Sequence, residues 1–476
     1  DDGDQVPYRT QGFAGRAAYT YADRYIAEFN FGYNGSENFA KGNRFGFFPS
    51  IAAGWIVSEE EFMRPVQNYI NKLKLRASYG LAGNDRFYND DGSQKRFAYI
   101  TTIGTTDGYK WGNSNAFYDK GGLREGDPGV ESLTWETVKK ANVGIELGLF
   151  KMAELQVDFF HERREDIFMQ RKNIPSSAGF PSAPWANYGI VTNKGFDISL
   201  DLNKQINKDW FISARASVTY AKNKIIEQDE DLGVLGTYRS STGKPVGQIF
   251  GLVNDGLYTE ADFEDVTTGK LKPGLPVPKF SDRVYPGDIK YVDFNGDGEI
   301  TETDKTAIGG TVNPELVYGF GINLSYKNID FGAFFQGNGR TYRIIGENQK
   351  NFLPGSTIGA EGNIFTNASD AWTVDNPSQD VFYPRLHMGY NANNAQVSDW
   401  WLKDMSMLRL KNVELGYSFS KNLIKKAAME YARIFVRGTN LLQFSKFDLW
   451  DPELNTSNGL KYPIMATYSI GLQVRF

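Results

Sequence analysis

Residues 316–337 read LVYGFGINLSYKNIDFGAFFQG. In the first half, Tyr318, Phe320, Ile322, Leu324 and Tyr326 occupy alternate positions, with Gly319, Gly321, Asn323 and Ser325 between them. After Lys327 and Asn328 the alternation resumes, with Ile329, Phe331, Ala333 and Phe335 set against Asp330, Gly332 and Gln336. A period of two sends successive side chains to opposite faces of an extended chain. The stretch therefore reads as two antiparallel strands joined by a tight turn, each apolar on one side and polar on the other. An edge of a soluble sandwich would satisfy that pattern as well as a membrane barrel would. The rest of the chain decides between them.

The same pattern recurs along the sequence. NVGIELGLF (142–150) turns through Lys151 and Met152 into AELQVDFFHER, and GFDISLDLN (195–203) is joined by KQINKD to WFISARASVTY. Further strands fall near 13–21, 25–34, 47–57, 71–81, 407–419 and 431–443, and the chain closes on YSIGLQVRF (468–476), thirteen strands in all. Many reach about 10 residues, the length a tilted strand needs to cross a bilayer. The face opposite the apolar one carries Asp, Asn, Arg, Gln and Gly, which suits a polar lumen better than a second core.

The connections alternate in length. Short ones lie at 22–24, 151–152, 204–208 and 327–328, and long ones cover 82–135, 164–188, 223–314, 341–405 and 444–463, with room for an extra hairpin near 95–103. Short turns on one side and long extracellular loops on the other are the arrangement of outer-membrane barrels. The expected fold is all-β, a transmembrane antiparallel β-barrel. Thirteen is odd, whereas a complete single-chain bacterial barrel has an even count with both ends inside. The chain is thus expected to be the C-terminal part of a larger barrel, entered from outside.

Composition limits the alternatives. Without cysteine there is no disulfide framework and no thiolate metal site, and the two histidines, His161 and His387, argue against a His-based metal centre or acid–base triad. The net charge of −5, with both signs interspersed, offers no basic face for nucleic acid. No apolar run is long enough for a transmembrane helix, and the acidic start, DDGDQVPYRT, is not a signal peptide. An aromatic content of 14 % with 50 glycines suits a barrel, although lectins and glycosidases share it.

The segments NRFGFFPSIAAGWIVSEEEFM (43–63), NKLKLRASYGLAGND (71–85), WETVKKANVGIELGLF (135–150), NKGFDISL (193–200), PGDIKYVDFNGDGEITETD (286–304), LRLKNVELGYSF (408–419) and VRGTNLLQFSKF (436–447) occur in this order along the chain. Together they resemble the SusC/RagA family of TonB-dependent outer-membrane transporters of Bacteroidota. The resemblance implies a 22-stranded plugged barrel, of which this chain would give about the last thirteen strands. A second chain or N-terminal fragment would carry the plug and the remaining strands. It also implies active import of oligosaccharides or peptides, driven by the TonB complex through the plug. A SusD-like surface lipoprotein would act as lid, in dimers of transporter–lid pairs within the outer membrane. In the same light the final strand, with Tyr468, Ile470, Leu472, Val474 and Phe476 on its apolar face, looks like the signal read by the outer-membrane assembly machinery. A soluble carbohydrate-binding or carbohydrate-active β protein and a passive porin are the competing readings. No catalytic residue is assigned.

One local motif carries chemistry of its own. DFNGDGEITETD (293–304) places Asp293, Asn295, Asp297, Glu299, Thr301 and Asp304 at the ligand spacing of a calcium loop, with Gly298 where the chain must turn sharply. Asp304 stands where glutamate is usual. A solvated Asx/Gly turn is the plainer alternative, and a bound calcium would brace the loop rather than catalyse. Trp111, Trp185, Trp372, Trp400, Trp401 and Trp450 lie in or beside the long loops. There they could stack on sugars, meet a lid protein, or simply mark the bilayer interface and pack within the loops, and no substrate-binding residue is assigned.

Overall fold

A computed structural model describes residues 9–88, 92–113, 116–180, 182–346, 366–420, 423, 425 and 428–476. The acidic residues 1–8 and part of the expected 341–405 loop lie outside them. Thirteen strands form one antiparallel sheet, each hydrogen-bonded to the next in the chain. They are β1 (Thr10–Tyr21), β2 (Tyr25–Ser36), β3 (Phe45–Ile56), β4 (Ile70–Asn84), β5 (Glu136–Leu149), β6 (Ala153–Gln170) and β7 (Trp185–Gln205). They continue as β8 (Trp210–Glu227), β9 (Leu316–Tyr326), β10 (Ile329–Gly339), β11 (Met407–Ser418), β12 (Tyr431–Ser445) and β13 (Thr467–Arg475). Every strand read from alternation is present. The short turns hold non-glycine residues at positive φ, among them Ala22, Asp23, Phe150, Lys151 and Lys327, as the right-handed twist of a tight hairpin requires.

The strands run further than the alternation does. β6, β7 and β8 reach 18, 21 and 18 residues. The connection expected at 164–188 shrinks accordingly to 171–184. The β6–β7 register shifts between Arg164 and Ile167 and again before Phe168. A bulge of this kind breaks the period of two while the backbone ladder continues, so the outer ends of these strands do not show in the sequence pattern. The extra hairpin also lies later than expected, pairing Ile103–Asn113 with Ala116–Glu125.

The chain divides into two compact units, one formed by Asp1–Leu202, Thr219–Leu235 and Thr242–Lys244, the other by Asn203–Val218, Gly236–Ser241 and Pro245–Phe476. In the first, Phe13, Phe31 and Phe47 make a row across β1 to β3 at centroid spacings of 5.8 and 5.9 Å. Phe13 (67 % exposed) and Ile51 (58 %) belong to an outward apolar face of a size that water-soluble chains rarely leave uncovered. Near the short turns of this unit, Tyr25 stacks on Trp55 and Tyr69 meets Phe150, as an interfacial girdle would have it. Above β4 to β7 a small core gathers Phe39, Phe87, Ala98, Leu133, Trp135 and Phe168.

In the second unit the long connections are not structureless. Gln248–Gly251 pairs with Thr306–Thr311, Asn254–Leu257 with Ile289–Tyr291, and Tyr342–Ile344 with Leu402–Asp404. These ribbons enclose a core of Leu252, Leu257, Ile289, Tyr291, Ile345, Tyr383 and Trp401, all with at most 2 % exposure. The two longest connections are tied through Asp288. This fully buried carboxylate accepts from Asn394 Nδ2 (2.8 Å) and Asn391 Nδ2 (3.2 Å), and lies 2.5 Å from His387 Nε2. The apolar residues of this cap are spaced without a period, so alternation could not reveal them.

Candidate functional site

The polar face of the sheet carries ion pairs that cross three strands at a time. In the first unit the register sets Arg76 of β4 opposite Gly144 of β5, and Gly144 opposite Asp158 of β6. Arg76 Nη2 reaches Asp158 Oδ2 at 2.6 Å over the glycine, and its Nε lies 3.3 Å from Glu146. A Cβ on Gly144 would stand 2.5 Å from Asp158 Oδ1 and 2.9 Å from Arg76 Nε, so the missing side chain provides the saddle. Lys72 and Lys74 complete the group on Glu146 at 3.0 and 3.3 Å, with Glu154 4.0 Å from Lys72.

The second unit repeats the device. Arg433 of β12 passes over Gly416 of β11 to pair with Asp330 of β10, and bonds Glu414 at 2.6 Å. Arg437 Nε binds the other oxygen of Glu414 at 2.6 Å, and the ring of Phe435 lies between the two guanidiniums, 5.1 and 5.4 Å from them. Sequence reading missed both groups, since neither the register nor the role of these two glycines can be read from a single strand. Chemically the arrangement stiffens a polar wall and presents paired charge.

A second kind of clasp holds the connection after β6. Asp229, nearly buried, accepts from Arg171 Nε (2.8 Å), the Lys172 and Asn173 amides (2.7 and 3.4 Å) and Asn173 Nδ2 (2.8 Å). Burial works to raise this carboxyl, but the Arg171 guanidinium and the N–H donors outweigh it and hold it at about 2, down from an ordinary 3.8. A depressed carboxylate stabilises the fold fully above its unfolded value and ceases to do so as the pH falls through its folded one. Pepsin cleavage within 171–184 is therefore expected to rise as the pH is lowered from about 4 to about 2. Asp229→Asn should already be cut readily at the upper end of that window.

The expected calcium loop closes on itself. Asp293 accepts from the amides of Gly296 (2.6 Å) and Gly298 (2.8 Å), and Asp304 from those of Phe294 (3.0 Å), Asn295 (3.4 Å) and Thr301 (2.8 Å). Asp297 accepts from Asn295 Nδ2 and the Glu299 amide, both at 2.8 Å, and Glu299 pairs with Lys279 at 2.9 Å. Thr301 caps the short helical turn that contains Asp304. Burial pushes the Asp293 carboxyl up, but the Gly298, Gly296, Asp297 and Asn295 amides prevail and keep it below its ordinary range. Gly298 sits at φ +82°, the left-handed turn its place in the motif requires. The donor set is all oxygen, as calcium prefers. Among the described residues, however, no three His, Cys, Asp or Glu side chains meet as a metal-holding group.

The terminal strand keeps its outward face: Tyr468, Ile470, Leu472 and Phe476 are exposed, and Val474 is half-buried. The loop tryptophans divide. Trp372 and Trp401 are buried in the cap, with Trp400 and Trp450 packed against it. Trp185 stacks on Phe168 at 4.9 Å, and Trp111 is exposed on the hairpin. For four of the six, packing in the cap is their role.

Long antiparallel strands, an outward apolar face, a paired polar face and a structured cap define the barrel wall of an outer-membrane protein. More particularly, the chain is homologous over nearly its whole length to TonB-dependent receptors, SusC among them, as the SusC/RagA resemblance implied. A TonB-dependent receptor of Formosa agariphila is 30 % identical over 99 % of this chain and 47 % of its own length. TonB-dependent receptor SusC of Bacteroides thetaiotaomicron is 25 % identical over 99 % of this chain and 45 % of its own. The fold matches the RagAB peptide importer in its closed-closed and open-open states, with TM-scores of 0.72 and 0.74, 24 % identity, and coverage of 98 % of this chain and 47 to 48 % of theirs. The chain spans about half the length of the relatives it matches. A comparison with protein-family models finds no match.

Proposed function

We propose that the chain forms part of the barrel wall of an active nutrient importer in the bacterial outer membrane. It would work with a plug and the remaining strands carried by a second chain or N-terminal fragment, energised by TonB. The long connections would face outward beneath a SusD-like lipoprotein lid, in dimers of transporter–lid pairs. The observation that carries this reading is the homology to TonB-dependent receptors along almost the entire chain. Among the described residues the two ends of the strand order, β1 and β13, each pair on one side only, and in lipid such edges need further strands to satisfy their backbone groups. The cargo is proposed to be oligosaccharides or peptides, and the likeness to a peptide importer favours testing peptides first.

Growth on defined peptides or oligosaccharides as sole nutrient source tests this in strains lacking the gene or lacking TonB. Loss of growth on the same class of nutrient in both strains is the expected result. Growth that needs the gene but not TonB would replace the importer with a passive pore. Recovery of the protein without detergent in the soluble fraction would remove the membrane reading altogether.

We also propose that calcium occupies the 293–304 loop, with Asp293, Asn295, Asp297, Thr301 and Asp304 turning their oxygens onto the ion and Glu299 offering its backbone carbonyl. Calcium titration of the assembled protein should then slow proteolysis within 286–304. Asp293→Ala should abolish the effect, and a wild-type loop indifferent to calcium would leave only the self-closed turn.

A further inference from the structure

The connection between β3 and β4 differs from the other short turns. Residues 57–69 form two short 3-10 segments, Val57–Glu59 and Glu61–Val66, with Val57, Ser58 and Met63 buried. Several of its amides bond within the segment: that of Met63 donates to Glu60 O (3.0 Å), that of Gln67 to Arg64 O (3.4 Å) and that of Tyr69 to Val66 O (2.9 Å). Gln67 Nε2 adds a bond to Ser58 O at 3.1 Å.

The position of this segment is set by Glu60. Its Oε1 accepts from Tyr25 Oη (2.7 Å) and Trp55 Nε1 (3.0 Å), and its Oε2 lies 3.1 Å from Arg24 Nη1. Tyr25 and Trp55 are register partners whose rings stack, and alternation puts them on the outward apolar face with Phe29, Phe47 and Ile51. A carboxylate beside a lipid-facing surface is costly unless its acceptors are filled. Here three donors fill them, and the bonds draw the 57–69 segment up against that face. On the other side the Phe150 amide bonds Tyr69 O at 2.8 Å and the two rings meet edge to face at 6.0 Å.

Held at both ends, the segment presents Phe62 (65 % exposed), Tyr69 (62 %), Val66 (37 %) and, from the neighbouring turn, Phe150 (55 %). These residues add exposed apolar surface at the short-turn side, where the Tyr25–Trp55 and Tyr69–Phe150 ring pairs lie. We propose that residues 57–69 are an interfacial foot that seats Phe62, Val66 and Tyr69 in the phospholipid leaflet at the short-turn side of the sheet. The exposed pair Arg64–Glu61 (3.6 Å) limits the depth, because both charges must stay among the headgroups. A segment with its amides partly paired within itself and its rings outward has the chemistry of a shallow membrane anchor. The proposal rests on the barrel reading.

The chain has no cysteine, so Phe62→Cys, Tyr69→Cys, Ile51→Cys and Leu232→Cys each take a nitroxide at one site of this chain in the assembled protein, with the unsubstituted protein as background. Ile51 marks the centre of the outward face and Leu232, 79 % exposed, marks a long connection. In phospholipid vesicles, the ratio of oxygen to nickel-chelate collisions at Phe62 and Tyr69 is expected to be several-fold above that at Leu232 and below that at Ile51. Equality with Leu232, while Ile51 stays lipid-exposed, would place the segment in water and overturn the foot alone. Protection of Phe62 and Tyr69 from both reagents would mean a protein partner covers it, which also overturns the proposal. A water-exposed label at Ile51 would instead bring down the barrel reading itself.

Discussion

Trp401→Ala is expected to destabilise the cap by about 3 to 5 kcal/mol while the sheet keeps its strands. Trp401 is fully buried, its ring is within 6.3 Å of both Phe382 and Tyr383, and its Nε1 donates to Asn394 O at 2.8 Å. Truncation leaves a cavity in the middle of the buried cluster that holds the cap together. It also strips a buried carbonyl of its donor. The loss should show as new protease cuts within 366–405, while the heat-modifiable migration typical of a folded barrel persists. Trp401→Phe keeps one aromatic ring but gives up part of the indole's volume along with the N–H, so its cost should fall between none and that of the alanine. An unchanged digestion pattern in Trp401→Ala would mean that the cap is not organised around this core.

A comparable loss is expected at Arg409, for an electrostatic reason. Its side chain is 3 % exposed, yet it meets Asp451 on both carboxylate oxygens, Glu453 at 3.0 Å and Gln443 at 2.7 Å. Arg409→Met leaves Asp451 facing an apolar side chain and Glu453 with Lys411 alone, 3.0 Å away, and breaking a buried pair on one side costs about 3 to 5 kcal/mol. The connection 446–466 should come away from the sheet and become open to protease. Arg409→Lys rescues little, because an ammonium cannot fork onto both acids. Adding Asp451→Asn to Arg409→Met should restore much of the loss, since the uncompensated charge is then gone while Glu453 keeps Lys411. Failure of that rescue would show that the guanidinium acts by packing alone.

Legibility in the sequence follows the range of the interactions. Each sheet strand is a local pattern, and the thirteen were readable from residues such as Tyr318 to Tyr326 because one face is continuously apolar. The outer ends of β6 and β7 were not, because the bulge near Ile167 breaks the period that announces them. The cap was missed for a different reason. Ile289, Tyr383 and Trp401 are far apart in sequence and carry no common spacing, so only the folded chain assembles them. The calcium spacing was plain at 293–304, whereas the turning of its carboxylates onto backbone amides depends on local geometry that a motif does not encode. The charged saddles over Gly144 and Gly416 required the register of three strands at once.

The charge count of those saddles reaches beyond stiffness. In the first unit Lys72, Lys74 and Arg76 face Glu146, Glu154 and Asp158, and in the second Arg433 and Arg437 face Asp330 and Glu414. Each group sums to zero, so its field falls off faster than that of a lone charge, and physiological salt, with a Debye length of about 8 Å, screens what is left. A solute that meets such a group feels little long-range potential, yet on touching it finds a dense set of donors and acceptors. Attraction at these places is then decided at contact and is nearly indifferent to ionic strength. Neutralising any one of these residues would replace that quiet field with a single uncancelled charge.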